Sequence, residues 1–245
     1  MALPRFFQSM DTPAAVGDRL TIVGQDAVHL TRSLRLTVGD AVLVCDGRST
    51  EYDTVIDGCR QDAVELLVQA VRESRAEPTL QVTLYQGLPK SDKLEWIIQK
   101  CVELGVTEIV PLEMERSIVK LGDKADKKRA RWQTIAHEAA GQSGRGILPT
   151  VAEPMPLSGA LERMRGGLTI VCYEGGGEPF SALIDPSVQK LNLVIGPEGG
   201  IAPSEIERLV QNGAKLATLG PRILRCETAP VAALAVAMAL SGNMS

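Results

Sequence analysis

The stretch LNLVIGPEGG, residues 191–200, decides the fold of the C-terminal part of this 245-residue chain. Its first half is apolar enough to predict a buried strand, and its Gly-Pro-Glu-Gly-Gly half predicts a tight turn after that strand. Glycines in such a turn let the backbone approach a ligand closely. The stretch is neither G-x-G-x-x-G nor a phosphate-binding P-loop. It therefore predicts a plain turn or a ligand-binding loop of a different kind.

Strand-like and helix-like patterns alternate on both sides of this stretch. The remaining strands are predicted at LQVTLYQ (80–86), TEIVPL (107–112), LTIVCY (168–173) and KLATLG (215–220). Helices are predicted from Asp92, with Glu95 completing a capping box, over 127–142, over 203–213 and from Pro230 onwards. Such alternation is typical of an α/β domain with a largely parallel sheet, here residues 80–245.

The N-terminal part has a different pattern. Short β-type runs, LTIV, AVLVCDG, YDTVI and AVELLVQAV, fill residues 20–71 and are separated by turn residues. They predict a small β-barrel domain over residues 1–72. The charged stretch RESRAEP then predicts a linker over 73–79.

Composition narrows the class of protein. The net charge of -4 predicts that any nucleic-acid site is a local patch. One such patch is 116–131, with seven Lys or Arg residues against Asp123 and Asp126. The five cysteines are odd in number and contain no C-x-x-C pair, which disfavours disulfides and a zinc site. The opening MALPRFFQSM does not contain the continuous apolar segment of a signal peptide, so we expect a cytoplasmic protein without one.

The last predicted helix, PVAALAVAMAL, is apolar on every side. It is about half the ~20 residues that a membrane span needs. Because a water-soluble protein must bury such a helix, we expect it in the core or in a subunit interface.

A second candidate loop is LGPRILRCETAP, residues 219–230. Arginines, a glutamate and a threonine lie there between apolar stretches, where unpaired charges are costly to bury. Two interpretations stay open at this point. The loop contains either a structural Arg-Glu ion pair with Thr228 as helix N-cap, or a binding site.

Six segments together resemble a known family. They are HLTRSLRLTVGD (29–40), KSDKLEWIIQKCVELGV (90–106), ERSIVK (115–120), RWQTIAHEAAGQSGR (131–145), IGPEGG (195–200) and LGPRILRCETAP (219–230). In this order they resemble the ribosomal small-subunit methyltransferase E family, the 16S rRNA uracil-N3 methyltransferases of the SPOUT superfamily. The resemblance covers essentially the whole chain.

The resemblance implies an N-terminal PUA-like RNA-binding barrel, a C-terminal SPOUT-type α/β domain with a deep trefoil knot, and a homodimer. It implies S-adenosylmethionine as cofactor, held by three loops. The residues implied in cofactor binding are Tyr173, Glu174, Ile195, Gly196, Pro197, Glu198, Gly199, Gly200, Leu219, Gly220, Ile223, Leu224, Arg225, Thr228 and Ala229. Cys226 departs from the family, which more often has threonine there.

The resemblance also implies the reaction and the substrate. Uridine N3 must lose a proton, which requires a base or cations that stabilise the anion. Arg225 and Glu227 are the candidate catalytic residues, with Glu227 orienting the uracil or accepting the proton. The substrate is 16S ribosomal RNA, within the small subunit. The candidate RNA contacts are Arg5, His29, Arg32, Arg35, Arg116, Lys120, Lys127 and Lys128.

Three other functions compete with this one. A SPOUT methyltransferase with another target, such as transfer RNA, is disfavoured by the N-terminal barrel and HLTRSLRL. A non-catalytic RNA-binding or assembly factor would not need both loops. A nucleotide hydrolase would need a phosphate-binding loop or a nucleophile-histidine pair, and this sequence contains neither. We expect no metal site, because His29 and His137 are far apart in the sequence and have no cysteine or carboxylate companions in a ligand pattern.

Overall fold

The structure, a computed structural model, describes residues 3–60 and 62–244 and forms two compact units. The first unit contains the chain up to Glu77 together with Ala140–Leu148. The second contains Pro78–Ala139 and the chain from Pro149 onwards. Met1, Ala2, Gln61 and Ser245 lie outside the described residues.

The first unit is built on a five-stranded mixed sheet in the order β1-β3-β4-β5-β2. Its elements are β1 (Arg5–Phe7), β2 (Arg19–Val23), α1 (Gln25–Val28), β3 (Ala41–Cys45), β4 (Thr50–Arg60) and β5 (Ala63–Glu73). Only β1 and β3 pair in parallel. The backbone ladder does not join β1 to β2, so the expected barrel is a half-barrel. Tyr52, Ile56 and Leu66 are among the fully buried residues of its core.

Arg5 is held inside the first unit, contrary to its predicted contact with RNA. Its guanidinium donates to Glu51 Oε1 at 2.8 Å and to the carbonyl of Arg145 at 3.0 Å. Only 14% of its side chain is exposed. Burial favours protonation of Glu51, but hydrogen bonds from Arg5, Ser74 and Arg72 outweigh it and lower the Glu51 pKa below its ordinary value. We therefore assign Arg5 to this buried ion-pair network.

The late segment Ala140–Leu148 is bound to the first unit by Glu77. The Glu77 carboxylate accepts hydrogen bonds from Arg145 Nη2 at 2.7 Å and from the backbone N–H groups of Gly146 and Ile147. The side chains of Arg145 and Glu77 are 4% and 10% exposed. The charged stretch that the sequence suggested as a linker thus contains a buried anchor, because its carboxylate satisfies three donors at once.

The second unit is built on an eight-stranded, wholly parallel sheet. Its strands are β6 (Gln81–Gly87), β7 (Glu108–Glu113), β8 (Thr150–Val151), β9 (Met155–Pro156), β10 (Leu168–Cys172), β11 (Glu178–Pro179), β12 (Lys190–Ile195) and β13 (Lys215–Thr218). Seven follow the order β11-β13-β10-β12-β6-β7-β8, and β9 pairs with β7. The predicted α/β class is confirmed.

Five longer helices accompany this sheet. They are α2 (Lys93–Glu103), α3 (Ala125–Gln142), α4 (Leu157–Arg163), α5 (Pro203–Gln211) and α6 (Thr228–Leu240). The last residues of α3, from Ala140, belong to the first unit. Leu94, Ile97 and Ile98 are buried on α2, as their helical spacing predicts. The Glu205 carboxylate accepts the N–H of Ala202 and so secures the start of α5.

Two details of the helices differ from the prediction. Asp92 makes no side-chain cap on α2, and the Glu95 carboxylate instead accepts a hydrogen bond from Arg131 at 2.6 Å. The all-apolar α6 contacts α2 and β12 but is not covered on every side, because Val236 and Leu240 are 37% and 38% exposed. None of the helices in the described part of the chain combines the length and apolarity that crossing a bilayer requires.

We expect Glu77→Gln to destabilise the first unit by about 3 kcal/mol, because it leaves the buried Arg145 cation without its carboxylate. Hydrogen exchange of the β4 and β5 amides measures this loss. The control is Asp57→Asn, which removes the exposed partner of Arg19 and should cost less than about 1 kcal/mol. Equal effects of the two variants would contradict the assignment of Glu77 as an anchor.

Candidate functional site

The candidate site lies where three neighbouring parallel strands of the second unit end. The register pairs Cys172 of β10 with Ile195 of β12 and with Ala217 of β13. Parallel strands present their carboxyl ends at one edge of the sheet, so the loops that follow these three strands meet there. The sequence predicted each loop separately, and the strand register brings them together.

The three loops enclose a cavity of about 720 Å³. It is lined by Lys93, Cys172, Tyr173, Glu174, Ile195, Gly196, Pro197, Glu198, Gly199, Gly200, Thr218, Leu219, Gly220, Pro221, Arg222, Ile223, Leu224, Arg225, Cys226, Glu227 and Ala229. All but one of the residues predicted for cofactor binding are in this set. The exception is Thr228, which is the first residue of α6 and lies outside the lining.

The Gly196–Gly200 turn is packed too closely to accept side chains. A Cβ atom at Gly196 would lie 2.8 Å from Cγ1 of Ile201, and one at Gly200 would meet the Glu174 carboxylate. Gly200 also has a positive φ of 72°, a conformation that glycine adopts without strain. Arg116 donates to the carbonyl of Gly199 at 3.1 Å. The three glycines of the turn therefore leave backbone exposed to the cavity, and Glu198 adds a carboxylate.

Gly87, at the end of β6, supports the same turn from below. A Cβ atom there would lie 2.7 Å from the backbone nitrogen of Pro197. Gly87 was not among the residues predicted from the sequence. It is a glycine directly after an apolar strand, and glycines in that position also occur at many ordinary turns.

The loop after β13 is fixed by backbone contacts and leaves its arginines exposed. The carbonyl of Arg225 accepts the N–H groups of Thr228 and Ala229, both at 2.9 Å, and so begins α6. The side chains of Arg222 and Arg225 have no ion-pair partner among the described residues. The alternative of an Arg-Glu ion pair with a Thr228 cap is wrong, since Glu227 pairs with a lysine and α6 has no side-chain cap.

Lys93 is the charged residue of the cavity that sequence analysis missed. Its Nζ lies 3.0 Å from Glu198 Oε1 and 3.1 Å from Glu227 Oε2. Hydrogen bonds to Glu198 and Glu227 raise the Lys93 pKa above its ordinary value. Lys93 is in the quoted segment KSDKLEWIIQKCVELGV, but its distance in sequence from the other loops gave no sign that it reaches the cavity.

Both carboxylates beside Lys93 stay ionised at neutral pH. Burial opposes the charge of Glu198 and of Glu227, yet hydrogen bonds from backbone N–H groups and Lys93 lower the pKa of each below its ordinary value. The Cys226 thiol donates to Glu227 Oε2 at 3.2 Å. Cys226, where the family more often has threonine, therefore still supplies a hydrogen-bond donor, although a thiol is a weaker donor than a hydroxyl.

Apart from Arg5 and the partly buried Lys128, the candidate RNA-binding residues are exposed in both units. In the first unit, Arg32 and Arg35 are exposed, and the exposed ring of His29 packs 6.0 Å from that of Phe6. In the second unit, Arg116 lies against the Gly199 carbonyl, and Lys120 and Lys127 have no ion-pair partner within the described ranges. Lys128 lies 3.7 Å from Asp92. The basic run is therefore partly neutralised, with Arg129 and Arg131 also paired to carboxylates.

No cluster of three or more His, Cys, Asp or Glu side chains with the arrangement of a metal site occurs in residues 3–60 and 62–244. The cavity instead combines exposed backbone, apolar side chains and paired charges. Such a lining is suited to an organic ligand with both apolar and polar parts.

Comparison with known proteins defines the class of the chain. Residues 75–238 match the family described as RNA methyltransferase domain, and residues 17–58 match the RNA methyltransferase PUA domain. A ribosomal RNA small subunit methyltransferase E from Bacillus subtilis is 40% identical over 223 residues, covering 87% of each chain. One from Synechocystis is 36% identical and covers 90% of this chain and 73% of the relative.

A solved structure shares the whole architecture. It is a ribosomal RNA small subunit methyltransferase E from Neisseria gonorrhoeae bound to S-adenosyl methionine. The TM-score is 0.88 at 30% identity, over 98% of both chains. The fold and the loops thus define an RNA methyltransferase. More closely, the chain belongs to the ribosomal RNA small subunit methyltransferase E family.

We expect thiol reagents to separate the five cysteines of the folded chain. Burial raises the pKa of Cys45 to about 11, and that of Cys172 and of Cys226 to about 12. Because only the thiolate reacts, these thiols and the buried Cys101 should resist iodoacetamide, whereas the exposed Cys59 should be modified first. Peptide mass spectrometry measures the order. In urea all five should react, and rapid labelling of Cys226 in the folded chain would contradict the site geometry.

Proposed function

We propose that this protein transfers the methyl group of S-adenosylmethionine to N3 of a uridine in 16S ribosomal RNA of the small subunit. The observation that carries the proposal is the cavity formed by the loops after β10, β12 and β13. The Neisseria gonorrhoeae relative, which shares this fold, is bound to S-adenosyl methionine. The relatives named above are ribosomal RNA small subunit methyltransferases.

The cavity residues fit this cofactor. A cavity of about 720 Å³ is large enough for a nucleoside with an amino-acid side arm. The cavity has apolar walls formed by Ile195, Leu219 and Leu224. Side chains added at Gly196 or Gly200 would collide with neighbouring atoms of the same site. In our proposal the backbone of 219–224 binds the adenine, and the loop at Tyr173 and Glu174 completes the site.

When bound, the cofactor supplies an electrophilic methyl group. The residues of the chain contribute by holding the uridine in line with that group and by excluding water. Among the described residues Arg225 has no ion-pair partner, and it lines the cavity, so we assign it to the uracil. Its charge stabilises the anion left after N3 releases its proton to solvent water before methyl transfer.

Glu227 is the second proposed catalytic residue, and its surroundings favour orientation over proton transfer. Its lowered pKa makes it a weak base. Its Oε2 already accepts hydrogen bonds from Lys93 and Cys226. We propose that these contacts fix the carboxylate so that Oε1 can accept a hydrogen bond from N3–H of the entering uracil and orient it before that proton leaves.

RNA binding forms the third part of the proposal. The exposed charges of Arg32 and Arg35 in the first unit, and of Arg116, Lys120 and Lys127 in the second, are suited to phosphate contacts. Lys128 and His29 complete the set. The chain has only eight Phe, Trp and Tyr residues together, so rows of stacked bases are not the expected mode of recognition.

The architecture of the family completes the proposal. We propose a PUA-like RNA-binding domain over 1–72, a connection over 73–79 and a catalytic domain over 80–245 with a deep trefoil knot. We also propose a homodimer. The uncovered apolar face of α6, with Val236 and Leu240 exposed, supports a subunit interface, since an all-apolar helix is stable in water only when it is covered.

The decisive experiment has two parts. Calorimetry with the purified chain should give heat on addition of S-adenosylmethionine. Mass spectrometry of ribosomal RNA from cells lacking the protein should reveal one missing N3-methyluridine in the small-subunit RNA. A missing methyl group in transfer RNA would establish the other SPOUT activity, and an intact folded chain that binds no cofactor would establish the adaptor instead.

We expect Arg225→Ala to reduce kcat by about 100-fold or more, the size expected when a donor to a developing anion is lost. Its side chain, in our assignment, contacts the uracil and not the cofactor, so cofactor affinity should change less than about threefold. Arg208→Ala is the matched control, because Arg208 is an exposed arginine on α5 outside the cavity. Equal loss of cofactor affinity and kcat would reassign Arg225 to structure.

A further inference from the structure

Lys93 joins two walls of the cavity that the chain builds from distant segments. Glu198 belongs to the turn after β12, and Glu227 precedes α6. Lys93 is the first residue of α2, a third element. Its Nζ contacts a carboxylate oxygen of each, at 3.0 and 3.1 Å. One cation thus spans two loops that have no covalent connection near the site.

Other contacts hold the same carboxylates in place. The backbone N–H of Lys90 donates to Glu198 at 3.1 Å from Oε1 and 3.3 Å from Oε2. Cys226 Sγ donates to Glu227 Oε2. The start of α2 therefore holds Glu198 with two groups, and Glu227 is held from two sides. Three of the four carboxylate oxygens, both of Glu198 and Oε2 of Glu227, accept hydrogen bonds from these donors, and such bonds are stronger when the acceptor is charged.

The charge balance of this arrangement depends on Lys93. Glu198 and Glu227 both line the cavity and are both ionised. Without the cation between them, the two negative charges would repel each other and an approaching RNA phosphate. The side chains of Lys93, Glu198 and Glu227 are 33%, 28% and 20% exposed, so water and salt screen them less than they screen a fully exposed pair.

A lysine suits this position for a geometric reason. Its ammonium group carries three donors on a compact charge, so it can bridge two carboxylates that approach from different directions. The same two contacts occupy Lys93 and keep it from acting as a free base. Its effect on the reaction must therefore pass through the loops that it connects.

We propose that Lys93 is a positioning residue that fixes the separation of the glycine-rich turn and the start of α6. In doing so it sets the width of the cavity for the cofactor and holds Glu227 towards the uridine. This inference rests on the proposed function for its kinetic consequences. The coupling of the two loops is a property of the free protein and can be tested without any ligand.

The test compares three single variants of the full chain. Lys93→Met keeps the length of the side chain and removes its charge, and Lys93→Arg restores a cation with several donors. Lys100→Met is the matched control, because Lys100 is on the same helix and, in the described part of the chain, its ammonium group pairs with Glu103 at the surface. The measurements are amide hydrogen exchange of the free protein, cofactor affinity by calorimetry, and kcat and KM for RNA.

We expect Lys93→Met to speed hydrogen exchange at both 196–200 and 226–229, to weaken cofactor binding about tenfold and to lower kcat. Lys93→Arg should bind the cofactor more tightly than Lys93→Met and retain more of kcat, because it restores the cation although its planar group does not reproduce the compact bridge. Lys100→Met should change none of these. Adding Glu198→Gln to Lys93→Met should recover part of the cofactor affinity, because one repelling charge is removed.

Several results would overturn the inference. They are unchanged exchange in both loops of Lys93→Met, faster exchange in only one of them, a cofactor affinity of Lys93→Arg no higher than that of Lys93→Met, or no recovery in the double variant. If Lys93→Met does not fold, Lys93→Arg and Glu198→Gln alone still test the inference. Glu198→Gln should speed hydrogen exchange in the glycine-rich turn and leave exchange at the start of α6 unchanged. If the unchanged chain binds no cofactor while the exchange results hold, the proposed function fails and the coupling stands.

Discussion

The parallel register of β10, β12 and β13 is the constraint on which the site depends. Because Cys172 lies beside Ile195 and beside Ala217, the loops that follow these strands must begin side by side. Backbone hydrogen bonds fix that alignment, and no side chain of the loops has to provide it. The loops are then free to carry glycines, arginines and carboxylates, residues that would weaken a strand or a core.

Charge at the site follows from this crowding. Loops that converge at one sheet edge bring their carboxylates close together, and a single cation from α2 offsets one of the two negative charges of Glu198 and Glu227. Among the residues that the structure describes, Arg222 and Arg225 have no ion-pair partner at the same edge. The cavity therefore combines a partly neutralised carboxylate pair with exposed arginines, and these positive side chains suit a polyanion that binds outside.

Much of the fold could be predicted from sequence because it is local. The runs LNLVI and LTIVCY predicted strands by composition, and the buried face of α2 followed from spacing. The predictions that were wrong concern contacts between residues distant in sequence. Nothing near Arg5 in the sequence reveals its partner Glu51, so the sequence does not predict its burial. The half-barrel likewise depends on which strands pair. Lys93 was missed for the same reason. The resemblance to a family supplied the cavity loops, but not the ion pairs that shape them.

The anchoring of Ala140–Leu148 by Glu77 has a consequence for how the chain folds during synthesis. Arg5 and Arg145 are separated by 140 positions in the chain, yet their contact closes the first unit. Domains often fold as soon as they leave the ribosome, but this one lacks part of its interior until the end of α3 has been made. A fragment cut after Glu77 would lack the Arg145 carbonyl that Arg5 contacts and the three donors that satisfy Glu77. The N-terminal unit is therefore not a module that can be exchanged by simple truncation.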